Sequence, residues 1–300
     1  MRNPLLLLSS LAIFVSMSLA QELEGAETHE SSATADTSPL TSQKDFSTFR
    51  PKPEDYNFEM MVLVFIVFYL SNYLLGRAYN LRILSKLERP IGTVLRRQFH
   101  LVADPGGLMF DIDSWTDIFF WATGRRNCES LRGIIKLKPR QDMIGMIQDM
   151  ASPHEEYLTL EFDLPQKVPN FVFAIVPKVK FRTIIRDRFD INTFSKPVKV
   201  DNLSSNLIVL SENNEVATDF INSNVYSNFA RSDSLLQELY ISDQPEKKPT
   251  DINFVTKKVL AIRIKIPTLD EQNLKLFEST LEYAMYLVDY IANKISLPSE

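Results

Sequence analysis

The sequence is poor in the residues that build metal and redox sites. Cys128 is the only cysteine among 300 residues, which excludes a disulfide within the chain and any zinc cluster that needs several thiolates. The three histidines, His29, His100 and His154, are spread too widely along the chain to indicate a metal site. We therefore expect no metal centre and no cofactor in the main part of the chain.

Catalytic motifs are also missing. The sequence has no nucleophile elbow, phosphate-binding loop or dinucleotide fingerprint. Residues 104–107, "DPGG", predict a turn and not a phosphate cradle. Residues 111–113, "DID", are similar to the carboxylate pair of metal-dependent sugar transferases, but the topology inferred below places them on the wrong side of the membrane for luminal glycosylation. We therefore predict that the protein is not an enzyme. An enzyme would need a deep pocket lined by titratable groups.

The N-terminal residues have the pattern of a secretory signal peptide. Arg2 precedes an apolar stretch at residues 5–15, and small residues follow at Ser18 and Ala20. This pattern predicts a signal peptide over residues 1–20 that is cleaved after Ala20, so that the following residues begin in the lumen of the endoplasmic reticulum (ER). The alternative is an uncleaved N-terminal anchor, for which the apolar stretch is short.

Residues 21–57 are acidic and almost free of aliphatic side chains. They hold eight acidic and three basic residues, whereas residues 60–300 carry 29 of each sign. Such a segment buries too little apolar surface to offset the chain entropy that folding removes. We predict a disordered acidic luminal segment. Any calcium binding by its carboxylates is expected to be weak, because their spacing does not match a calcium-binding loop.

Residues 58–76 predict one transmembrane helix. Residues 60–76 contain no charge, and at about 1.5 Å of rise per residue the segment is just long enough to cross the hydrocarbon layer. The alternative is a buried core helix, which would more often carry a polar face. The flank before the helix is acidic and the flank after it is basic (Arg77, Arg82, Lys86, Arg89, Arg96 and Arg97). This asymmetry predicts a single-pass type I protein with residues 77–300 in the cytosol.

Two polar residues, Ser71 and Asn72, interrupt the apolar run near its cytosolic end. In lipid, a side-chain amide needs a hydrogen-bond partner, and such bonds between helices contribute on the order of 1 kcal/mol. We therefore predict that Ser71 and Asn72 contact a partner helix in the membrane. The alternative is that Asn72 lies close enough to the interface to be hydrated.

Residues 77–300 predict a cytosolic α+β domain with a mixed or antiparallel sheet and flanking helices. Apolar runs predict strands beginning at Gly133, Glu156, Asn170, Asn206, Leu236 and Lys258. Helices are predicted at residues 140–150, 179–188 and 215–229, with a long last helix capped by Asp270. The strands at 156 and 170 are joined by "PQKVPN", which is too short for a crossover, so we expect these two strands to pair antiparallel.

A basic block lies between residues 119 and 150 and is the strongest candidate for a binding surface. It contains Arg125, Arg126, Arg132, Lys136, Lys138 and Arg140 beside several aromatic residues. Clustered basic side chains of this kind favour contact with an RNA phosphate backbone, although solvated strand edges have the same composition. We expect Arg125 and Arg126 to lie exposed in a turn led by glycine.

The chain resembles the calumin family, coiled-coil-domain proteins of the ER membrane that are subunits of the PAT complex of the multipass translocon. The resemblance runs from residue 56 to about residue 297. It rests on the span and its exit, "YNFEMMVLVFIVFYLSNYLLGRAYNLRI", and on shorter segments that follow in order: "FHLVAD", "GRRNCESL", "LKPRQDMI", "FVFAIVPK", "LSENNEVATDFIN" and "ISDQ". Each segment alone is weak evidence, and their shared order and topology carry the resemblance.

The resemblance implies a function that the residues alone do not. It implies that the cytosolic domain lies beside the Sec translocon and under the ribosome, and that the span pairs with the small membrane protein Asterix. Together they would form an intramembrane chaperone that assists the insertion of nascent multipass membrane proteins. On this basis, Asn72 and the basic block gain candidate partners.

This chain departs from the family pattern in two ways. Its acidic luminal segment is short and dilute, which weakens the alternative that it is a calcium-binding ER protein acting in calcium homeostasis. The sequence also ends at "SLPSE", without the long basic coiled-coil tail through which the family reaches the ribosome. We therefore expect any ribosome contact in this chain to come from the basic block.

Overall fold

The computed structural model describes residues 56–103, 107–199, 204–222, 226–227, 231, 234–248 and 257–294. The predicted signal peptide and nearly all of the predicted luminal segment lie outside these residues. The helices are α1 (Asn57–Gln98), α2 (Met143–Ala151), α3 (Phe181–Asp187), α4 (Phe189–Phe194), α5 (Asn214–Asn222) and α6 (Glu271–Lys294). The strands are β1 (Leu101–Val102), β2 (Asp111–Ile112), β3 (Asp117–Arg125), β4 (Cys128–Lys136), β5 (Tyr157–Asp163), β6 (Phe173–Pro177), β7 (Lys196–Val198), β8 (Leu207–Ser211), β9 (Leu236–Ser242) and β10 (Val259–Lys265).

The prediction of an α+β domain is confirmed. The strands form one sheet in the order β1-β3-β4-β5-β10-β9-β6-β8-β7, with β2 paired to β3, and the described pairings are antiparallel. All six predicted strands are present. The predicted helix at 215–229 is present as α5, and its predicted C-terminal part reaches residues outside the described ranges. Asp270 directly precedes α6, and its carbonyl oxygen accepts from the Leu274 N–H at 2.9 Å.

The expected pairing of the strands at 156 and 170 is wrong. β5 pairs with β4 and β10, and β6 pairs with β8 and β9. The hairpin of β9 and β10, which follows later in the chain, therefore lies between β5 and β6. Burial explains the separation, because β5 alternates between buried and half-buried positions whereas β6 is buried on both faces. β6 needs cover on both sides, and it finds that cover only in the part of the sheet that has helices on both faces.

Four strands, β1, β2, β3 and β7, are not among the predicted ones, and most of β3 falls within the predicted basic block. β3 and β4 form a hairpin whose last pair is Arg125 and Cys128. The connection requires positive φ angles at Gly124 (84°) and Asn127 (64°), which glycine and asparagine adopt most readily. The hairpin therefore places Arg126 at its tip.

The main core lies between one face of the sheet and the helices α1 and α6. Its largest fully buried side chains include Phe120, Phe162, Phe277 and Leu87. A smaller cluster covers the opposite face, where Val172, Ala174 and Val176 of β6 and its preceding residues pack against α3 and α4. The C-terminal half of α1 is thus part of the domain core, and its N-terminal half projects from the domain.

Candidate membrane and partner interface

The N-terminal half of α1 is an exposed apolar surface. Among the described residues, α1 is the one helix long and apolar enough to cross a membrane, and its apolar part is not buried against the domain. Leu63, Phe65 and Leu70 are examples of its large exposed side chains. A helix that is apolar all round and uncovered has the properties of a lipid-facing span. The structure therefore identifies a candidate span in the region where the sequence predicts one.

The two polar residues of the candidate span differ in their surroundings. Ser71 is exposed, whereas Asn72 is half-buried. The Nδ2 atom of Asn72 is buried and has no hydrogen-bond partner within the part of the chain that the structure describes. An amide N–H without a partner is costly in an apolar environment. Asn72 thus retains an unused donor at the end of the span.

An aromatic cluster marks the place where α1 enters the domain. The indole Nε1 of Trp115 donates to the hydroxyl of Tyr73 at 3.2 Å. The guanidinium carbon of Arg77 lies 4.0 Å from the centre of the Trp115 ring, a cation–π contact. Tyrosine, tryptophan and arginine together are typical of the interface between lipid and water, because each side chain combines an apolar body with a polar end.

The helix α1 contacts the domain just after this cluster in the chain, at Gly76 and Asn80. Gly76 of α1 lies so close to the backbone of residues 140 and 141 that an added Cβ would be 2.4 Å from the carbonyl oxygen of Arg140. One turn later, Asn80 is only 2% exposed, and its Nδ2 donates to the carbonyl oxygens of Trp115 at 2.9 Å and Lys138 at 3.0 Å. These contacts fix the end of the candidate span to the loop that precedes α2.

Two residues of the predicted basic block, Lys138 and Arg140, belong to this junction. Arg140 donates to Oδ1 of Asn80 at 3.0 Å and pairs with Glu156 at 2.5 Å. Lys138 pairs with Asp149 of α2 at 3.1 Å. The backbone N–H of residue 154 donates to Asp149 and holds the pKa of that carboxyl group below its usual range. The charge of both basic residues is therefore largely neutralised by acidic neighbours.

Arg125 and Arg126 lie at the opposite end of the β3–β4 hairpin. The expectation that both are exposed is wrong for Arg125, whose side chain is only 7% exposed and pairs with Asp289 of α6 at 2.6 Å. Arg125 also donates to the carbonyl oxygen of Met285 at 3.1 Å and to Gln98. Glycine at position 124 turns the chain so that the Arg125 side chain reaches α6, whereas Arg126 stays exposed.

Arg132 and Lys136 lie along β4 between these two ends, and the side chain of each is 50% exposed. Arg132 lies over the ring of Phe119 and 3.8 Å from Glu161, and Lys136 lies 3.5 Å from Asp117. Burial raises the pKa of Glu161. The six predicted basic residues are thus distributed along the whole hairpin and do not form one patch.

A cavity with titratable walls opens on the second face of the sheet. It has a volume of about 420 Å³, and Glu161, Arg188 and Arg263 are among its lining residues. The two arginines are held by buried carboxylates, since Arg188 pairs with Asp190 at 2.7 Å and Arg263 pairs with Glu238 at 2.7 Å. The other charged residues of the lining are Glu161, Glu246 and Lys257.

The residues that sequence analysis missed are the ones that join the helix to the domain: Gly76, Asn80 and Trp115. A signal for Asn80 was present, because it is polar at a position that continues the apolar spacing of Ile83, Leu84 and Leu87. Its carbonyl partners, however, come from residues 35 and 58 positions away. No local pattern reveals such contacts.

Comparison with known proteins identifies the family. A sequence model of the family described as PAT complex subunit CCDC47 matches residues 55–300. The chain belongs to the CCDC47 family. This result confirms the resemblance to the calumin family that the sequence motifs indicated.

Individual proteins that are similar to this chain are distant in sequence. An ER membrane protein of Schizosaccharomyces pombe is 24% identical over 71% of this chain and 61% of its own length. The PAT complex subunit CCDC47 of Xenopus laevis is 21% identical over 81% of this chain and 53% of its own length. The chain therefore spans about half to three fifths of the length of these relatives.

Among solved structures, the mycobacterial trehalose monomycolate transport factor TtfA aligns with 66% of this chain and 95% of its own, at 6% sequence identity. The TM-score is 0.32. A score this low does not support a shared fold.

Proposed function

We propose that this protein is a non-enzymatic subunit of a PAT-type assembly complex in the ER membrane. Its span would pair with a small Asterix-like membrane protein, while its cytosolic domain would lie beside the Sec translocon and the ribosome. The complex would act as an intramembrane chaperone that shields the polar transmembrane segments of nascent multipass proteins. Membership of the CCDC47 family supports this proposal, because relatives in the family are named as PAT complex subunits.

The observation that carries the proposal is the continuity of α1. The helix runs without a break for 42 residues, from the candidate span into the domain core. The close contact at Gly76 and the hydrogen bonds of Asn80 then fix its direction relative to the sheet. A simple anchor is commonly joined to its domain by a flexible linker, whereas a subunit that must hold a span at a defined place beside a large machine needs a rigid connection.

Asn72 provides the contact to the membrane partner in this proposal. Its Nδ2 has no partner within the described ranges, and because the residue is only half-buried, rotation of the side chain would bring this donor to an acceptor on a second helix. The matching experiment is purification of the protein from ER membranes in mild detergent, with identification of the membrane proteins that co-purify. Recovery of an Asterix-like protein and of translocon subunits is expected. Their absence from the purified sample would rule out the proposal.

Variants of the span make that experiment specific. We expect Asn72→Leu to insert normally, because the span becomes more apolar, but to recover less of the small membrane partner. Val67→Leu, an apolar exchange in the same helix, is the control and should leave partner recovery unchanged. Equal recovery with both variants would show that Asn72 does not contact the partner.

The proposed orientation is type I, with the domain in the cytosol. Protease added to sealed ER vesicles should then degrade the chain beyond about residue 77 and leave a small protected fragment. Protection of a fragment as large as the whole domain would reverse the orientation and remove the ribosome as a partner.

Ribosome contact through the β3–β4 hairpin is the next part of the proposal. Arg126, Arg132 and Lys136 are the exposed or half-exposed members of the basic block. Replacing all three by Glu should weaken co-sedimentation with ribosomes and reduce its salt dependence. Each phosphate contact that is lost should reduce the steepness of log affinity against log salt concentration by roughly 0.7 to 0.9. Lys275→Glu on α6, at a side chain that is 76% exposed, is the control. An unchanged slope in the triple variant would leave the hairpin without a role in RNA binding.

Calcium binding by residues 21–57 is the second candidate function. Within the described ranges, no group of three or more histidine, cysteine or acidic side chains is arranged to hold a metal ion. This candidate therefore depends on the acidic luminal segment alone. Calcium titration of a peptide of residues 21–57 tests it, and a titration without heat would count against it.

A further inference from the structure

The short helix α2 exposes an unusual amount of apolar surface for its length. Ile144, Ile147 and Met150 are 68%, 55% and 49% exposed. They are spaced three residues apart and therefore share one side of the helix. Gly145 is the one residue of α2 that is buried. α2 thus shows an apolar face to its surroundings while it is anchored through its other side.

The anchored side of α2 faces the loop that precedes it. A Cβ added to Gly145 would be 2.9 Å from the ring of Pro139, and Asp149 pairs with Lys138. The side chain of Asp142 caps the helix by accepting from the Ile144 N–H at 3.0 Å. These contacts hold α2 in a fixed orientation, and the exposure of its apolar face is therefore a property of the folded domain.

The position of α2 relates this face to the candidate span. The apolar part of α1 ends at Gly76, and Gly76 contacts the backbone at Arg140, three residues before α2 begins. The cluster of Tyr73, Arg77 and Trp115 lies at the same level. The N-terminal end of α2 therefore lies close to the end of the apolar part of α1.

A second apolar residue lies at the same end of the sheet. Val179, in the turn after β6, is 94% exposed, and its neighbours in sequence include Lys178, Lys180 and Arg182. Lys180 lies 2.8 Å from Glu155 and 3.4 Å from Glu238, so this turn is next to the segment that joins α2 to β5. Apolar side chains flanked by basic residues suit a surface of anionic lipid headgroups.

We propose that α2 lies in the headgroup layer of the cytosolic leaflet, with Ile144, Ile147 and Met150 inserted at the boundary of the acyl chains. This inference rests on the proposed function, since it requires that α1 spans the membrane. The lipid surface is the occupant that the structure favours, because α2 begins close to the end of the span, its exposed side is apolar, and the turn at Val179 carries the exposed basic residues Lys178 and Arg182. The domain would then contact the membrane at two places, and the second contact would stop rotation of the sheet about the axis of α1.

Fluorescence quenching in nanodiscs tests this placement with the full chain. In a Cys128→Ala background, a bimane label is attached at Ile147→Cys, at Val67→Cys in the span, or at Thr123→Cys, an exposed position towards the far end of β3. The nanodiscs contain phosphatidylcholine and phosphatidylserine, with a nitroxide lipid as quencher in one series and aqueous iodide in the other. We expect the nitroxide lipid to reduce the emission at positions 147 and 67 by about twofold or more, and iodide to quench only position 123.

The outcomes separate this inference from the proposed function. Lipid quenching at position 67 together with iodide quenching at position 147 would overturn the placement of α2 and leave the span intact. A failure of lipid quenching at position 67 as well would overturn the span itself. Protection of position 147 from both quenchers would assign the apolar face to contact between two copies of the protein, and that result also overturns the lipid placement.

Discussion

Asn80 and Arg140, sixty positions apart in the chain, are joined by a hydrogen bond of 3.0 Å from Nη1 of Arg140 to Oδ1 of Asn80. The same asparagine donates through its Nδ2 to two backbone carbonyl oxygens, and the same arginine pairs with Glu156. One side chain of α1 thus connects the helix to the loop before α2 and, through Arg140, to the start of β5. This connection transmits the position of the candidate span to the sheet.

Removal of the Asn80 side chain is expected to weaken that connection. In Asn80→Ala, the carbonyl oxygens of Trp115 and Lys138 lose a buried donor, which should lower the free energy of unfolding by roughly 1–3 kcal/mol. Urea unfolding of the purified protein, followed by tryptophan fluorescence, measures the change. Ser85→Ala is the control, because the exposed Ser85 hydroxyl bonds within its own helix to Arg82. Equal stability of the two variants would show that Asn80 does not hold the junction.

The two buried glycines of α1, Gly76 and Gly92, should respond differently to the same substitution. Glycine in a helix is less favourable than alanine by about 1 kcal/mol, so a glycine-to-alanine change should stabilise α1 wherever space permits. At Gly92 the new Cβ would meet the flexible side chain of Met109 at 3.3 Å, and we expect a change within about 1 kcal/mol of zero. At Gly76 it would meet backbone at 2.4 Å, and we expect a loss of about 2 kcal/mol or more. Thermal or urea unfolding of both variants gives the comparison, and a stabilised Gly76→Ala would contradict the close contact.

Arg125 and Arg126 should differ in their effect on stability although they are neighbours in the chain. Arg125→Ala removes a nearly buried guanidinium that pairs with Asp289, a residue that remains partly hydrated, so a loss of about 2 kcal/mol is expected. Arg126→Ala, at an exposed position, should change the free energy of unfolding by less than about 0.5 kcal/mol. Urea unfolding compares the two. Similar small effects would mean that the Arg125 pair is not formed in solution.

Local patterns in the sequence predicted the strands and helices well, because burial on one face imposes a period that a single segment displays by itself. The runs at β5 and β10 are examples. The order of the strands was not predictable in the same way, since β5 and β6 are separated by the β9–β10 hairpin, which begins roughly sixty residues after β6 ends. The predicted six-residue connection favoured a hairpin of β5 and β6. Because β6 is more deeply buried than β5, however, β6 lies in another part of the sheet.

The candidate site was only partly predictable for a related reason. The span and its polar residues are predictable from composition, because any segment that crosses a membrane must be long and predominantly apolar. The roles of Arg125 and Arg140 do not, because the sequence shows that they are basic but not that Asp289 and Glu156 lie beside them. The cluster of basic residues in the sequence therefore predicted more unpaired positive charge at the surface than the structure shows.

The buried thiol of Cys128 should make the free energy of unfolding depend on pH, and this dependence tests the packing of the core. Burial raises the pKa of this thiol from 9.0 to about 12, and the residue is only 6% exposed. Because the folded-state pKa is raised, the stabilising effect is complete below pH 9 and is lost as the pH rises from 9 towards 12. The free energy of unfolding should then fall by up to about 1.4 kcal/mol per pH unit more in the natural protein than in Cys128→Ala.

The measurement is a series of urea unfolding curves for both proteins from pH 8 to about 10.5, with iodoacetamide alkylation at pH 8 as a second readout. We expect alkylation to be slow until the protein unfolds. Rapid alkylation of the folded protein, together with parallel pH profiles of the two proteins, would place the thiol at the surface and contradict the packing of β4 against the main core.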